Sequence, residues 1–364
     1  MRSCLALLSS LAVALGTGAV TAQDAAPAAP EFIGQIVLPT GLKIEGVEFG
    51  GISGIDYDEA NDLFYAISDD RSQRAPARFY TLKLVFAEDQ LTGLDIVSTH
   101  TLTGEDGEPF AEGGVDPEAI RFDAEGQRLF WSSEGDAEGR PAVHEADLTG
   151  KTVRSFEIPD AYLPDGAETN GIFGNLAFES LTLSGDGREL LAGTENALAQ
   201  DGAKATLEAG SPSRIIVFDT ESGAVSAEYI YETDPIAVEA TEEPGYNDNG
   251  LSEFLMLSGG RLLTVERSFG SGVGNTIAFY VTSLEGATDI AGMESIEGQE
   301  VQSATKTHWF TIAEGDFGLD IDNIESVSFG PQVGGRPTLV IASDNNFNPV
   351  GQFTQFVVFS VPEL

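Results

Sequence analysis

The sequence predicts an all-β fold built as a single β-propeller, and three observations carry that prediction. Five segments of the 364-residue chain repeat one design: a short strand, a turn, and a second strand ending in an acid. The centre of each segment falls on residues that suit a tight antiparallel turn. Further strand-like stretches follow each repeat, and no Pro- or Ser-rich linker divides them, so residues 32–364 read as one closed domain.

The repeats run from Ser53 to Asp69, Glu118 to Glu134, Glu179 to Glu195, Glu253 to Glu266 and Glu325 to Asp344. Their midpoints fall on Asn61, Gly126, Gly187, between Gly259 and Gly260, and between Gly334 and Gly335. Asn and Gly tolerate the positive φ of hairpin turns, so the two outer residues of each repeat face each other at the open end of a hairpin. A bulge would move either by one place. Arg78–Leu84 and Leu94–Leu102 supply two further strands after the first repeat, Arg214–Asp219 and Ala224–Glu232 after the third, and Thr276–Thr282 and Thr307–Ile312 after the fourth. Four strands per unit of about 60–75 residues is a propeller blade with generous loops. The fifth unit has one obvious later strand, Gln355–Val361, and Phe32–Leu38 is expected to complete it and close the ring. Five blades follow by count. Six would require the stretch from Glu285 to Asp322 to hide a degenerate unit.

Composition narrows the setting. Met1-Arg2, an apolar run over Leu5–Val20 and the small-residue site Val20-Thr21-Ala22 read as a signal peptide over 1–22, with a disordered leader over 23–31. The expected location is therefore periplasmic or extracellular, and no later stretch is apolar enough to span a membrane. Cys4 is the sole cysteine and lies within the signal, so disulfide and thiolate chemistry are excluded from the mature chain. With 18 basic and 59 acidic residues the net charge is −41, which repels nucleic acid and anionic lipid. General acidity is the ordinary surface of a salt-adapted protein; placement needs a separate account.

Nine of the ten hairpin-base positions are acids: Asp69, Glu118, Glu134, Glu179, Glu195, Glu253, Glu266, Glu325 and Asp344, with Ser53 the exception. Acids are about 16% of the chain, so chance supplies one or two. In a propeller the first strand of each blade lines the channel, which brings these groups to one mouth. Two carboxylates about 5 Å apart repel by roughly 3 kcal/mol at an effective dielectric near 20. Protons, basic partners or a metal must relieve that repulsion, and Ca²⁺, which takes six to eight oxygen ligands, is the candidate ion. The same acids could instead accept backbone N–H bonds and tie blades together. Arg71 and Arg267 each follow a second-strand acid closely, and Arg78 lies near the first, which suggests an anion held beside a metal. Salt bridges that merely relieve the ring are the alternative. No GxSxG elbow, Walker or GxGxxG motif, or zinc spacing occurs, and His100, His144 and His308 are scattered.

At these residues the chain resembles the family called esterase-like activity of phytase, the phytase-like domain. The resemblance rests on Gly50–Tyr57, Ala66–Ser72, Asp116–Ile120, Asn175–Thr182, Thr194–Gly202, Val265–Ser268, Asp322–Glu325 and Ala342–Phe347, and covers about residues 32–361. It implies ester or phosphoester hydrolysis. Arg71, Arg78, Arg267 and Asn345 are the substrate-binding candidates. No catalytic base is identified. One departure is Ile172-Phe173-Gly174, where relatives often carry a basic residue before the Asn-Leu-Ala-Phe-Glu block. The expected function is a monomeric, Ca²⁺-dependent hydrolase acting on a small anionic or ester substrate. A non-catalytic binding propeller and a lactonase-like metal propeller are the alternatives.

Overall fold

The structure, a computed structural model, describes residues 27–364; the expected signal peptide lies outside the described residues. Of the stretch expected as a leader, Pro30 is buried, Glu31 opens the first strand, and the Ala28 carbonyl accepts a hydrogen bond from Trp309 Nε1 at 3.0 Å. Regular structure among the described residues is strand throughout, apart from three single 3₁₀ turns.

Strand β1 (Glu31–Pro39) comes first, then a small hairpin of β2 (Lys43–Ile44) and β3 (Val47–Glu48). The first blade is β4 (Ile52–Asp58), β5 (Leu63–Ser68), β6 (Arg78–Ala87) and β7 (Gln90–Thr101). The second is β8 (Pro117–Asp123), β9 (Arg128–Ser133), β10 (Ala142–Asp147) and β11 (Thr152–Ser155). The third is β12 (Phe178–Leu183), β13 (Glu189–Ala197), β14 (Pro212–Asp219) and β15 (Val225–Glu232). The fourth is β16 (Asn247–Met256), β17 (Arg261–Gly270), β18 (Gly274–Ser283) and β19 (Thr305–Ala313). The fifth is β20 (Ile324–Val333), β21 (Arg336–Ser343) and β22 (Phe353–Ser360), completed by β1.

Five four-stranded blades therefore form the propeller. Strand β1 pairs antiparallel with β22, with Gln35 opposite Val357, so the first and last described strands close the ring. The stretch between Glu285 and Asp322 is not a sixth blade. It carries the fourth strand of blade four, and its earlier part runs back along β15 through Ile290 N–H to Glu228 O and Ala304 N–H to Ile230 O.

Packing follows from the alternation of apolar residues along the strands. Five hydrophobic clusters fill the five interfaces between neighbouring blades. Ile67 and Phe79 meet Ile120 and Trp131 between blades one and two, for example, and Leu191 and Ile215 meet Leu251 and Phe254 between three and four. The first strand of each blade lies innermost, β4 beside β8, then β12, β16 and β20, and back to β4. Serines stitch this inner ring: Ser53 Oγ donates to Glu118 O at 2.9 Å, and Ser326 Oγ to Ile52 O at 3.0 Å.

Candidate metal and ester site

The site is built by one irregularity that every blade repeats. At the same end of every blade the pairing of the first two strands shifts register, leaving an extra residue on the inner strand at Ser53, Glu118, Glu179, Ser252 and Glu325. A bulge of this kind bends the strand and re-aims the side chain it carries. On the second strand, one place past the residue paired just before the bulge, stand Asp69, Glu134, Glu195, Arg267 and Asp344; in blade four the ladder runs on, with Arg267 opposite Gly250. Ten bulge-related positions thus hold seven acids, two serines and one arginine.

The fourth blade corrects the sequence-based expectation by one residue. Its bulge falls at Ser252, and Leu251 pairs with Glu266, so Ser252 and Arg267 occupy the places expected for Glu253 and Glu266. Glu253 turns deeper into the channel. Its Oε2 lies 2.6 Å from Arg121 Nη2, and its Oε1 accepts from Phe254 N–H at 2.8 Å and Leu181 N–H at 3.1 Å. Glu266 turns away from the mouth and accepts from Tyr231 Oη, Asp234 N–H, Asn249 Nδ2 and Lys306 Nζ. Both acids are structural ties within the blades.

The remaining acids converge, joined by Asp116, which the repeat alignment leaves out. Three sets of carboxylate oxygens lie within 4.8 Å of one another: Asp116, Glu118 and Glu134; Glu118, Glu179 and Glu325; and Glu134, Glu179 and Glu195. Asp69 and Asp344 stand beside Glu325, outside the three sets. Backbone support is tight. A Cβ on Gly51, whose φ is +66°, would lie 2.0 Å from Asp69 Oδ1, so only glycine lets that carboxylate rest against the chain.

Burial combined with like charge dominates the electrostatics. Burial, then the neighbouring Glu325 and Asp116, pushes Asp69 up to about 8. Burial, Asp116 and Glu195 likewise take Glu134 to about 8. Glu195 rises to about 7 by burial against the opposing pull of Arg267, and Asp116 to about 6 against Arg71. Glu118, Glu179 and Asp344 are held well above the usual carboxylate range by burial and by the acids around them. Glu134 Oε1 accepts from Ala177 N–H at 2.8 Å, whereas its Oε2 and Asp69 Oδ1 have no partner in the protein.

Two cations face this cluster. Arg71 grips Asp116 with Nε at 2.7 Å and Nη2 at 2.5 Å, reaches Asn175 Oδ1, and is 43% exposed. The Arg267 side chain is 11% exposed, with Nη2 3.3 Å from Glu195 and 3.7 Å from Glu325. The other two expected anion-binding residues are engaged within the protein. Arg78 is fully engaged with Asp70 at 2.7 Å, Tyr80 Oη and the Glu48 carbonyl. Asn345 accepts from Gly51 N–H at 2.9 Å and Phe347 N–H at 3.1 Å, and so shapes the loop beneath Asp69. At the Ile172-Phe173-Gly174 departure a cation comes from another loop: Lys204 Nζ sits 5.1 Å from the centre of the Phe173 ring and draws Glu195 downward.

The donor set is oxygen only, with no His or Cys, and it retains a buried acceptor without a partner. That chemistry fits a hard divalent cation such as Ca²⁺ and disfavours zinc or copper. No helix among the described residues is long and apolar enough to cross a membrane.

Known proteins place the chain in context. No curated protein matches it significantly. Among solved structures it is similar to one described as "Structure of Dos1 propeller", at 10% identity and a TM-score of 0.34, over 90% of this chain and 73% of that one. The family model described as Phytase-like, esterase-like activity of phytase, matches residues 47–347 and spans the bulge residues of all five blades. The chain belongs to the phytase-like family, esterase-like activity of phytase.

Proposed function

We propose that this protein is an exported, Ca²⁺-dependent hydrolase of phosphate esters or related esters. The observation carrying this reading is the three overlapping carboxylate sets, two of which share Glu134, whose buried Oε2 accepts no hydrogen bond from the protein. Leaving such an acceptor unmet costs about 1–3 kcal/mol, more when it is charged, so a ligand that meets it is strongly favoured. Glu118, Glu134 and Glu179, each in two of the sets, are the residues that would hold the ion, with Asp116, Glu195 and Glu325 completing its shell. When bound, such an ion polarises an ester oxygen and lowers the pKa of water.

The chain's own residues supply the rest. Asp69, outside the three sets and with Oδ1 unengaged, is the candidate to take a proton from the attacking water. Arg71, partly exposed at the rim, would orient an anionic group of the substrate. Export rests on the N-terminal Arg2, apolar run and small-residue site.

The reading is tested by phosphate release from monoesters and hydrolysis of neutral esters, with calcium and then with chelator. Turnover that chelation abolishes and calcium restores supports it. Absence of turnover on every ester, with a melting temperature indifferent to calcium, leaves a non-catalytic binding propeller. Turnover of lactones alone would mark a lactonase.

A further inference from the structure

Beside the carboxylate cluster a cleft of about 450 Å³ opens between blades four and five, with Arg267 in its wall. Its polar lining is of two kinds. Among its side-chain amides, Asn346 is free among the described residues, Gln352 keeps its Nε2 donor and Asn275 its Oδ1 acceptor, while Asn348 is engaged with Gln352 Oε1 and Val350 N–H. Tyr246, 56% exposed, adds a ring at the edge. Asp248, Glu314, Asp320 and Asp322 bring four carboxylates against the single guanidinium. That guanidinium is already shared with Glu195 and Glu325. Asn275 is 8% exposed, and its Oδ1 has no partner; Arg267 Nε has none either.

We propose that this cleft binds the hydroxyl-bearing body of a polyol or sugar ester that carries no more than one anionic group. The inference rests on the hydrolase reading of the adjoining cluster and specifies its substrate. The Asn346 amide, the Gln352 Nε2 donor, the unengaged Asn275 Oδ1 acceptor and the unengaged Arg267 Nε donor suit ring hydroxyls, each of which both donates and accepts. The aromatic edge of Tyr246 suits a ring's apolar face. Four carboxylates against one shared cation reject a densely phosphorylated polyol, because each added phosphate meets like charge at short range. One anionic group at the Arg267 end is tolerated.

Calorimetry on the intact protein tests this, with calcium in excess of all phosphate groups. The probes are myo-inositol 1-phosphate and myo-inositol hexakisphosphate. The monophosphate is expected to bind at least about tenfold more tightly, and Asn275→Ala to weaken it by roughly tenfold, the worth of one hydrogen bond. Tyr246→Ala, at a side chain 56% exposed, weakens it in the same direction. Equal or tighter binding of the hexakisphosphate, no binding of the monophosphate, or indifference to both substitutions overturns the proposal. Phosphate release is read separately. Preferential binding without turnover supports the polyol site while removing the hydrolase reading; turnover of the hexakisphosphate alone does the reverse.

Discussion

Two groups of buried acids lie within one channel and differ in a single respect. Glu253, deep in the channel, has Arg121 at 2.6 Å and two backbone N–H donors on its other oxygen. Glu118, Glu134 and Glu179 at the mouth are also buried, yet they face chiefly one another. Burial pushes every one of them upward; at Glu253 Arg121 and the backbone draw it back to about 7, while at the mouth neighbouring carboxylates push further. A buried charge that its own chain satisfies is architecture. A buried charge that the chain leaves unsatisfied is a site awaiting a ligand.

The sharpest way to break this contrast is to remove the internal partner. Arg121→Met strands Glu253 in the channel and lowers stability by about 3–5 kcal/mol in urea unfolding, with or without calcium. A loss that calcium repairs would place Glu253 in the metal shell after all. Next in size, Glu179→Gln removes a carboxylate shared by two sets. It is expected to abolish the calcium-linked gain, about 2.7 kcal/mol at one hundred times the dissociation constant, while the chelated variant melts at or above the parent. Retention of the full calcium shift would exclude Glu179 from the shell.

Acidity sharpens the comparison further. Unfolded carboxylates titrate near 4, whereas folded Asp116, Glu195, Glu134 and Asp69 hold protons up to about 6, 7, 8 and 8. In that window the folded state binds more protons, so chelated protein loses stability as pH rises from about 5 to about 8. Saturating calcium, which favours the ionised acids, flattens the slope. A chelated melting temperature that rises over the same interval contradicts the cluster. The smallest effect belongs to Arg267→Met. Loss of this cation costs roughly 1–2 kcal/mol in chelator because Glu195 can protonate instead, and calcium binds more tightly to the more negative mouth. Weaker calcium binding would show that Arg267 organises the shell.

Much of this was legible in the residues, and the failures are instructive. Turn chemistry located all five hairpins, and Gly187, Gly259, Gly260, Gly334 and Gly335 do take positive φ. In the first two hairpins the left-handed residue comes one place later, at Asp62 and Gln127, because Asp58 and Asp123 side chains cap the preceding amides. The fourth blade was misread by one residue for a simple reason. The pairs Glu253/Glu266 and Ser252/Arg267 share the same midpoint, so the turn centre cannot separate them, and the acids drew the choice. Apolar alternation would have separated them: Ile55, Ile120, Leu181, Phe254 and Val327 are all fully buried, each two residues past its bulge. Asp116 escaped because it precedes its strand, and only the bulge brings it level with Glu118. Arg78 and Asn345 carry the right chemistry, but their contacts, set by loops distant in sequence, commit them to structure.

In the proposed function the mouth acids form a cation site which the chain alone does not satisfy. Its most direct test is a calcium titration of metal-stripped protein at pH 8, following melting temperature and bound metal together. Saturable binding with a rise in melting temperature, both lost in Glu179→Gln, is the predicted result. A stripped protein that binds no calcium and melts unchanged would contradict it.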